Sequence, residues 1–155
     1  MNRVEILRKY IDGILLNMDD DENRRCAYIH LYGVSQAAVF IALKRNENPE
    51  LAAMAGMLHD IYSYAETVSR DHAHLSAHMA EDILNTLNLT NDRETKVIRE
   101  AIYHHSEKEL ISNSFDEVIK DADVFQHCMY NPNHEIKKQE KPRFDKLKLE
   151  FGMID

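Results

Sequence analysis

The chain has 155 residues, 44% of them apolar and 30% charged, with a formal net charge of −8. That length fits one compact domain, residues 1–155, which can bury a core without disulfide staples. The negative charge excludes nucleic-acid binding through bulk charge, four glycines and three prolines disfavour a turn-rich β protein, and no apolar run of the roughly 18 residues that cross a membrane is expected.

Val4, Leu7, Ile11, Ile14 and Leu15 form one stripe of a first helix. NMDDDEN interrupts it, and its acids suit the N-terminus of the next helix, expected from about Glu22 to Leu43. After the break RNENPEL, Asn48 serves as N-cap and Pro49 as first residue of a third helix, with Leu51, Met54, Ala55 and Leu58 facing inward. SYAETVSRD reads as a third break. A fourth helix then carries Leu75, Met79, Ile83 and Leu87 on one face. Asn91 with Glu94, and Ser114 with Glu117, read as capping boxes for a fifth and a sixth helix. The sixth carries Phe115, Val118, Ile119 and Ala122. YNPN is a loop, and the basic tail 134–155 ends in a short helix. No alternating strand pattern and no internal repeat is present. The fold class is all-α: a single compact bundle of about six to seven helices.

Two cysteines, Cys26 and Cys128, are too few for a disulfide framework and read as reduced thiols. The start, MNRVEILRKY, lacks the apolar stretch of a secretory signal, so a cytoplasmic protein is expected. Nine histidines outnumber five phenylalanines, a compositional hint of metal chemistry.

Several of those histidines sit where a helix stripe would otherwise be apolar. His30 opens HLYGVSQAAVFIALK, His59 and Asp60 close LAAMAGMLHD, His72 precedes LSAHMAEDIL, His105 follows VIREAIYH, and Asp123 ends DEVIKDAD. A buried lone carboxylate costs several kcal/mol even after relaxation, and a buried imidazole needs partners for both nitrogens. One bound metal ion answers both demands. Taken singly, each has an ordinary reading: a satisfied core histidine, a helix-end cation beside a carboxylate, a surface acid. Six candidates spread over the helices of a short chain are harder to explain that way. His74, His78, His127 and His134 are weaker candidates, and His104 competes with its neighbour His105 as His74 does with His72.

The ordered set H…HD…D resembles the HD superfamily of metal-dependent phosphohydrolases. His30 matches the first histidine, His59-Asp60 the doublet after AAMAGML, and Asp123 in DADVF the last aspartate; the likeness spans residues 25–130. Members that hold a second metal carry extra histidines between doublet and last aspartate. HAHLSAHMAEDIL and AIYHHSEK resemble those two segments, with His72 and His105 as best matches. The chain departs from many members at Tyr62-Ser63, where they carry Gly-Lys, and it lacks the Gly-Tyr-Pro signature associated with cyclic dinucleotide hydrolysis.

The resemblance implies hydrolysis of a phosphoester or phosphoanhydride, with a nucleotide as the expected substrate, by attack of a metal-bound hydroxide. Asp60 would bridge the ions. His30, His59 and Asp123 would hold one ion, and His72 and His105 the other; His104 would protonate the leaving group. This imidazole and carboxylate set suits one or two ions of Fe, Mn, Zn, Ni or Co, and Mg less well. The tail lysines Lys137, Lys138 and Lys141 read mainly as a solvated face. Alternatives are a di-iron HD-fold oxygenase and a non-catalytic metal-binding regulatory domain. A homodimer stays open, and no membrane partner is expected.

Overall fold

A computed structural model describes residues 1–67 and 70–153. Those residues form helices, turns and loops, with no strand among them. The order is α1 (Arg3–Leu16), α2 (Asp21–Arg45), α3 (Pro49–Leu58), α4 (Ile61–Glu66), α5 (His72–Thr86), α6 (Asp92–His104), α7 (Ser114–Tyr130) and α8 (Lys141–Glu150). The all-α bundle expected from the apolar spacing is the fold found. The added element is α4, six residues lying in and just before the stretch expected to be a break. It is too short for periodicity to announce, and burial of Ile61 anchors it. Residues 68 and 69 of that expected break, and residues 154 and 155 of the tail, lie outside the described residues.

Side-chain caps start most of the helices. Asn2, Asp20 and Asn48 each accept a backbone N–H of the first turn, Pro49 opens α3, and Asn91 with Glu94 forms both halves of a capping box. The cap of α7 is Asn113 rather than Ser114: its side chain accepts from Asp116 N–H, while Glu117 accepts from Ser112 N–H. Asparagine one residue upstream satisfies the same orphan donors, so Ser114 becomes the first helical residue.

Leu7, Ile11 and Leu15 of α1 are fully buried, and every residue of α3 from Leu51 to Leu58 is buried. The buried stripe of α5 runs through Ala73, Ser76, Ala77, Ala80, Ile83 and Leu84. Leu75, Met79 and Leu87, expected inside, are half-buried at its margins. Small residues face inward there, and α5 packs along α6.

The α2–α3 contact is close at one point. A Cβ on Gly56 would lie 2.6 Å from the Ser35 backbone Cα, so only glycine fits, and Ser35 Oγ donates to Ala53 O nearby at 2.9 Å.

Helix α2 also corrects one expectation. Residues 26–43 contain no Asp, Glu, Lys or Arg, and α2 is long and apolar enough, by length and composition, to cross a membrane. Half of that stretch is buried inside the bundle, and α2 packs against α3 and α7. That is the position of a central core helix.

The C-terminal segment is less a solvated tail than expected. Lys137, Lys138 and Lys141 are exposed, but Phe144 and Leu147 of α8 are buried. Arg143 bonds Glu117 and Asp121 on α7 and the carbonyl oxygens of Lys108 and Leu110. Arg45 joins Asp121 to Glu150, and the fully buried Lys120 donates to Leu110 O and Ser112 Oγ.

Candidate metal centre

Four helix ends converge on the middle of α2 and α7. His30 projects from α2, His59 ends α3, Asp60 opens α4, His72 opens α5, His105 ends α6, and Asp123 projects from α7. All six sequence candidates come together in groups whose ligand atoms lie within 4.8 Å of one another.

Backbone geometry aims the rings. His59 and His105 are the C-cap residues of their helices, where terminal carbonyls lack intrahelical partners. His59 Nδ1 donates to Gly56 O at 2.8 Å, and His105 Nδ1 donates to Ile102 O at 2.7 Å. A carbonyl only accepts, so Nδ1 carries the hydrogen and each ring turns its Nε2 inward. His30 is set the same way by Gln126 Oε1, 2.9 Å from its Nδ1.

Asp60 divides its two oxygens between these rings. Oδ2 lies 3.3 Å from His30 Nε2 and 3.5 Å from His59 Nε2. Oδ1 lies 3.2 Å from His105 Nε2 and 3.5 Å from His72 Nε2. Asp123 is divided differently: Oδ2 accepts from Lys108 Nζ at 2.5 Å, while Oδ1 sits 3.6 Å from His30 Nε2 and 3.7 Å from His59 Nε2.

This arrangement fits a metal. Asp60 Oδ1 and Asp123 Oδ1 are buried with no hydrogen-bond partner. His59 Nε2 and His30 Nε2 face each other at 3.0 Å, although both rings already spend their Nδ1 hydrogens elsewhere. Two nitrogens this close take a proton or a cation between them. The donors are imidazole and carboxylate without thiolate, a set for transition ions rather than for calcium.

The charges respond accordingly. Burial pushes the Asp60 carboxyl up, but His59, His105 and His30 outweigh it and hold it well below the usual range. Burial likewise opposes ionisation of Asp123, and Lys108 and His59 overcome it. Burial lowers His30, yet the two aspartates raise it on balance, whereas for His105 burial prevails and the ring is held low.

His104 does not join the cluster. Its Nδ1 is 2.8 Å from Asp116 Oδ2, and it appears in none of the ligand groups. Neighbouring residues on a helix turn about 100° apart, so the turn that brings His105 inward sends His104 outward. His104, expected as the proton donor, thus lies outside the ligand set. His74 pairs with Asp71 at 2.7 Å and stacks on Tyr103, which resolves the choice between His74 and His72 geometrically.

His127, a weaker candidate by sequence, also lies at the cluster, as do Gln126, Lys108 and Glu140, which no sequence pattern marks. His127 Nε2 is 3.4 Å from Asp123 Oδ1, and its Nδ1 is 3.0 Å from Glu140 Oε1. Spacing of i, i+4 from Asp123 was the available signal for His127. Glu140 and Lys108 arrive from a segment and a loop whose spacing carries no such signal.

A cavity of about 280 Å³ reaches the cluster, lined by Cys26, Ile29, His30, Asp60, Tyr64, Gln126, His127 and Tyr130. A second cavity of about 430 Å³ shares Ile29, Gln126 and Tyr130 and adds Phe40, Phe125 and Met129.

The family model for the HD domain matches residues 27–127. The chain belongs to the HD domain family. HD domains bind divalent metals, and this one presents His/Asp groups that could hold them within a family of metal-dependent phosphohydrolases. The fold is also that of a crystal structure described as a predicted HD superfamily hydrolase from an uncultured Thermotogales bacterium. Identity is 21% and the TM-score 0.62, over 94% of this chain and 88% of that one. No curated protein matches the chain. The HD match ends at His127, so Glu140 and Arg143 lie beyond the matched region.

Proposed function

We propose that this HD domain hydrolyses a phosphoester or phosphoanhydride of a small molecule, with nucleotides as the first class to test. The observation that carries the reading is Asp60, which offers one oxygen to the pair His30 and His59 and the other to the pair His72 and His105. On this reading Asp60, with His30, His59 and Asp123, would hold one divalent ion, and Asp60, with His72 and His105, would hold a second. Ions bound there would acidify a water as nucleophile and neutralise charge on the phosphoryl oxygens.

The chain's own groups supply orientation. Gly56 O, Ile102 O and Gln126 Oε1 fix three ring orientations before any ligand arrives, which lowers the cost of assembling the site. Lys108 takes Oδ2 of Asp123 and leaves Oδ1 turned into the cluster. Burial of His59 and His105 keeps bulk water from competing at their nitrogens. The cavity beside His30 and Asp60 supports entry of a phosphate group, and the adjoining surface of Ile29, Phe40, Phe125 and Met129 supports a substrate with a flat or apolar body.

The test is a phosphatase screen over nucleotides and simple phosphomonoesters with protein reconstituted in Mn²⁺, Fe²⁺, Co²⁺, Ni²⁺ or Zn²⁺. Phosphate release that is abolished by chelator and by Asp60→Asn is expected. Metal-loaded protein that releases no phosphate from any of them, yet consumes oxygen with iron, would replace this reading with the oxidative one.

A further inference from the structure

We infer that His127 is an additional metal ligand of this HD domain, held in place by Glu140 from the C-terminal segment beyond the matched region. The inference rests on the metal-centre reading above and extends it. His127 lies one turn beyond Asp123 on α7, and its ring is stacked on that of His30, with centroids 5.0 Å apart and planes 10° apart. Nδ1 lies 3.0 Å from Glu140 Oε1. Glu140 is buried, at 4% exposure, immediately before α8. A carboxylate there takes the Nδ1 hydrogen, so Nε2 points the other way.

What Nε2 meets is another acceptor. Asp123 Oδ1 lies 3.4 Å away and is one of the buried oxygens without a hydrogen-bond partner. His30 Nε2, Asp123 Oδ1 and His127 Nε2 all fall within 4.8 Å of one another. An ordinary surface histidine paired with a carboxylate would turn its second nitrogen to water. Here it turns toward an orphaned carboxylate oxygen that already faces His30 and His59. The carboxylate–imidazole–ion arrangement is the usual way a ligating histidine is oriented and made more basic. Its occupant is a divalent transition ion of the class taken by the rest of the cluster. The side chain of His127 is one-third exposed, so removing it leaves little cavity in the core.

The experiment titrates Co²⁺ into the full-length chain and into His127→Ala, Glu140→Gln and His59→Ala, reading the dissociation constant and the visible absorption of the ion. His127→Ala is expected to weaken binding at least as much as loss of an orienting partner does, about 10- to 100-fold, and to shift the absorption bands. Added imidazole should restore the bands in His127→Ala. Glu140→Gln should weaken binding by less. His127→Gln, which keeps helical propensity, gives the same reading if His127→Ala folds poorly. Unchanged affinity and spectrum in both His127 variants, with binding abolished in His59→Ala, would overturn the inference and leave the metal centre standing. Unchanged binding in His59→Ala as well would overturn both.

Discussion

Two aspartates on α7, two residues apart, are both buried and meet opposite surroundings. Asp121 receives Arg45 at 2.8 Å on one oxygen and Arg143 at 2.9 Å on the other. Asp123 receives Lys108 on one oxygen, and its other oxygen faces imidazole nitrogens with no donor. At Asp121 the chain neutralises its own buried charge. At Asp123 the chain answers one oxygen with Lys108 and leaves the other without a hydrogen-bond donor. The first arrangement closes a structure, and the second opens a binding site.

The comparison can be broken at either end. The largest effect is expected at the open end. Metal at about a thousandfold excess over its dissociation constant should stabilise the wild type by about 4 kcal/mol. His59→Ala should erase that gain, read as the shift in melting temperature with and without chelator. The closed end should answer differently. Arg143→Ala removes the partner of Glu117 and Asp121, and breaking a buried pair costs about 3 kcal/mol. Denaturant unfolding should show that loss equally with metal and with chelator.

Gly56 couples the α2–α3 packing to the open end, since its backbone touches Ser35 and its carbonyl orients His59. Gly56→Ala should cost about 2 kcal/mol through overpacking and should also weaken metal binding, which a titration would detect. The smallest effect is on pH. Burial pushes Glu117 up, but the bond from Arg143 outweighs it; the bond from Arg45 holds Glu150 low. Depressed carboxyls contribute stability above their ordinary value of about 4.5, and lose it as the pH falls through their lower folded values. Melting curves against pH should therefore fall on the acid side, and Arg143→Ala should flatten that limb.

The residues legible in the sequence share one property: each interrupts or ends an apolar helical stripe. His30, His59, Asp60, His72, His105 and Asp123 could be picked out that way, and the structure gathers all six. The bundle was legible for the same reason, because 3.6-residue spacing and caps such as Asn48-Pro49 are local signals. Adjacent histidines were not separable, since only the helix-end geometry of α6 decides that His105 turns inward and His104 meets Asp116. Helix α4 is shorter than the window in which periodicity can be read. Gln126, Lys108 and Glu140 act through tertiary contacts over long sequence separations: Gln126 reaches His30, 96 residues away. No local pattern announces such a contact.

The account stands most directly on metal content. Elemental analysis of the full chain, purified and then reconstituted with Mn²⁺ or Fe²⁺, should find one or two ions per chain in the wild type and none in Asp60→Ala, whose oxygens serve both imidazole pairs. Less than about one ion per wild-type chain after reconstitution, or the same content in Asp60→Ala, would contradict it.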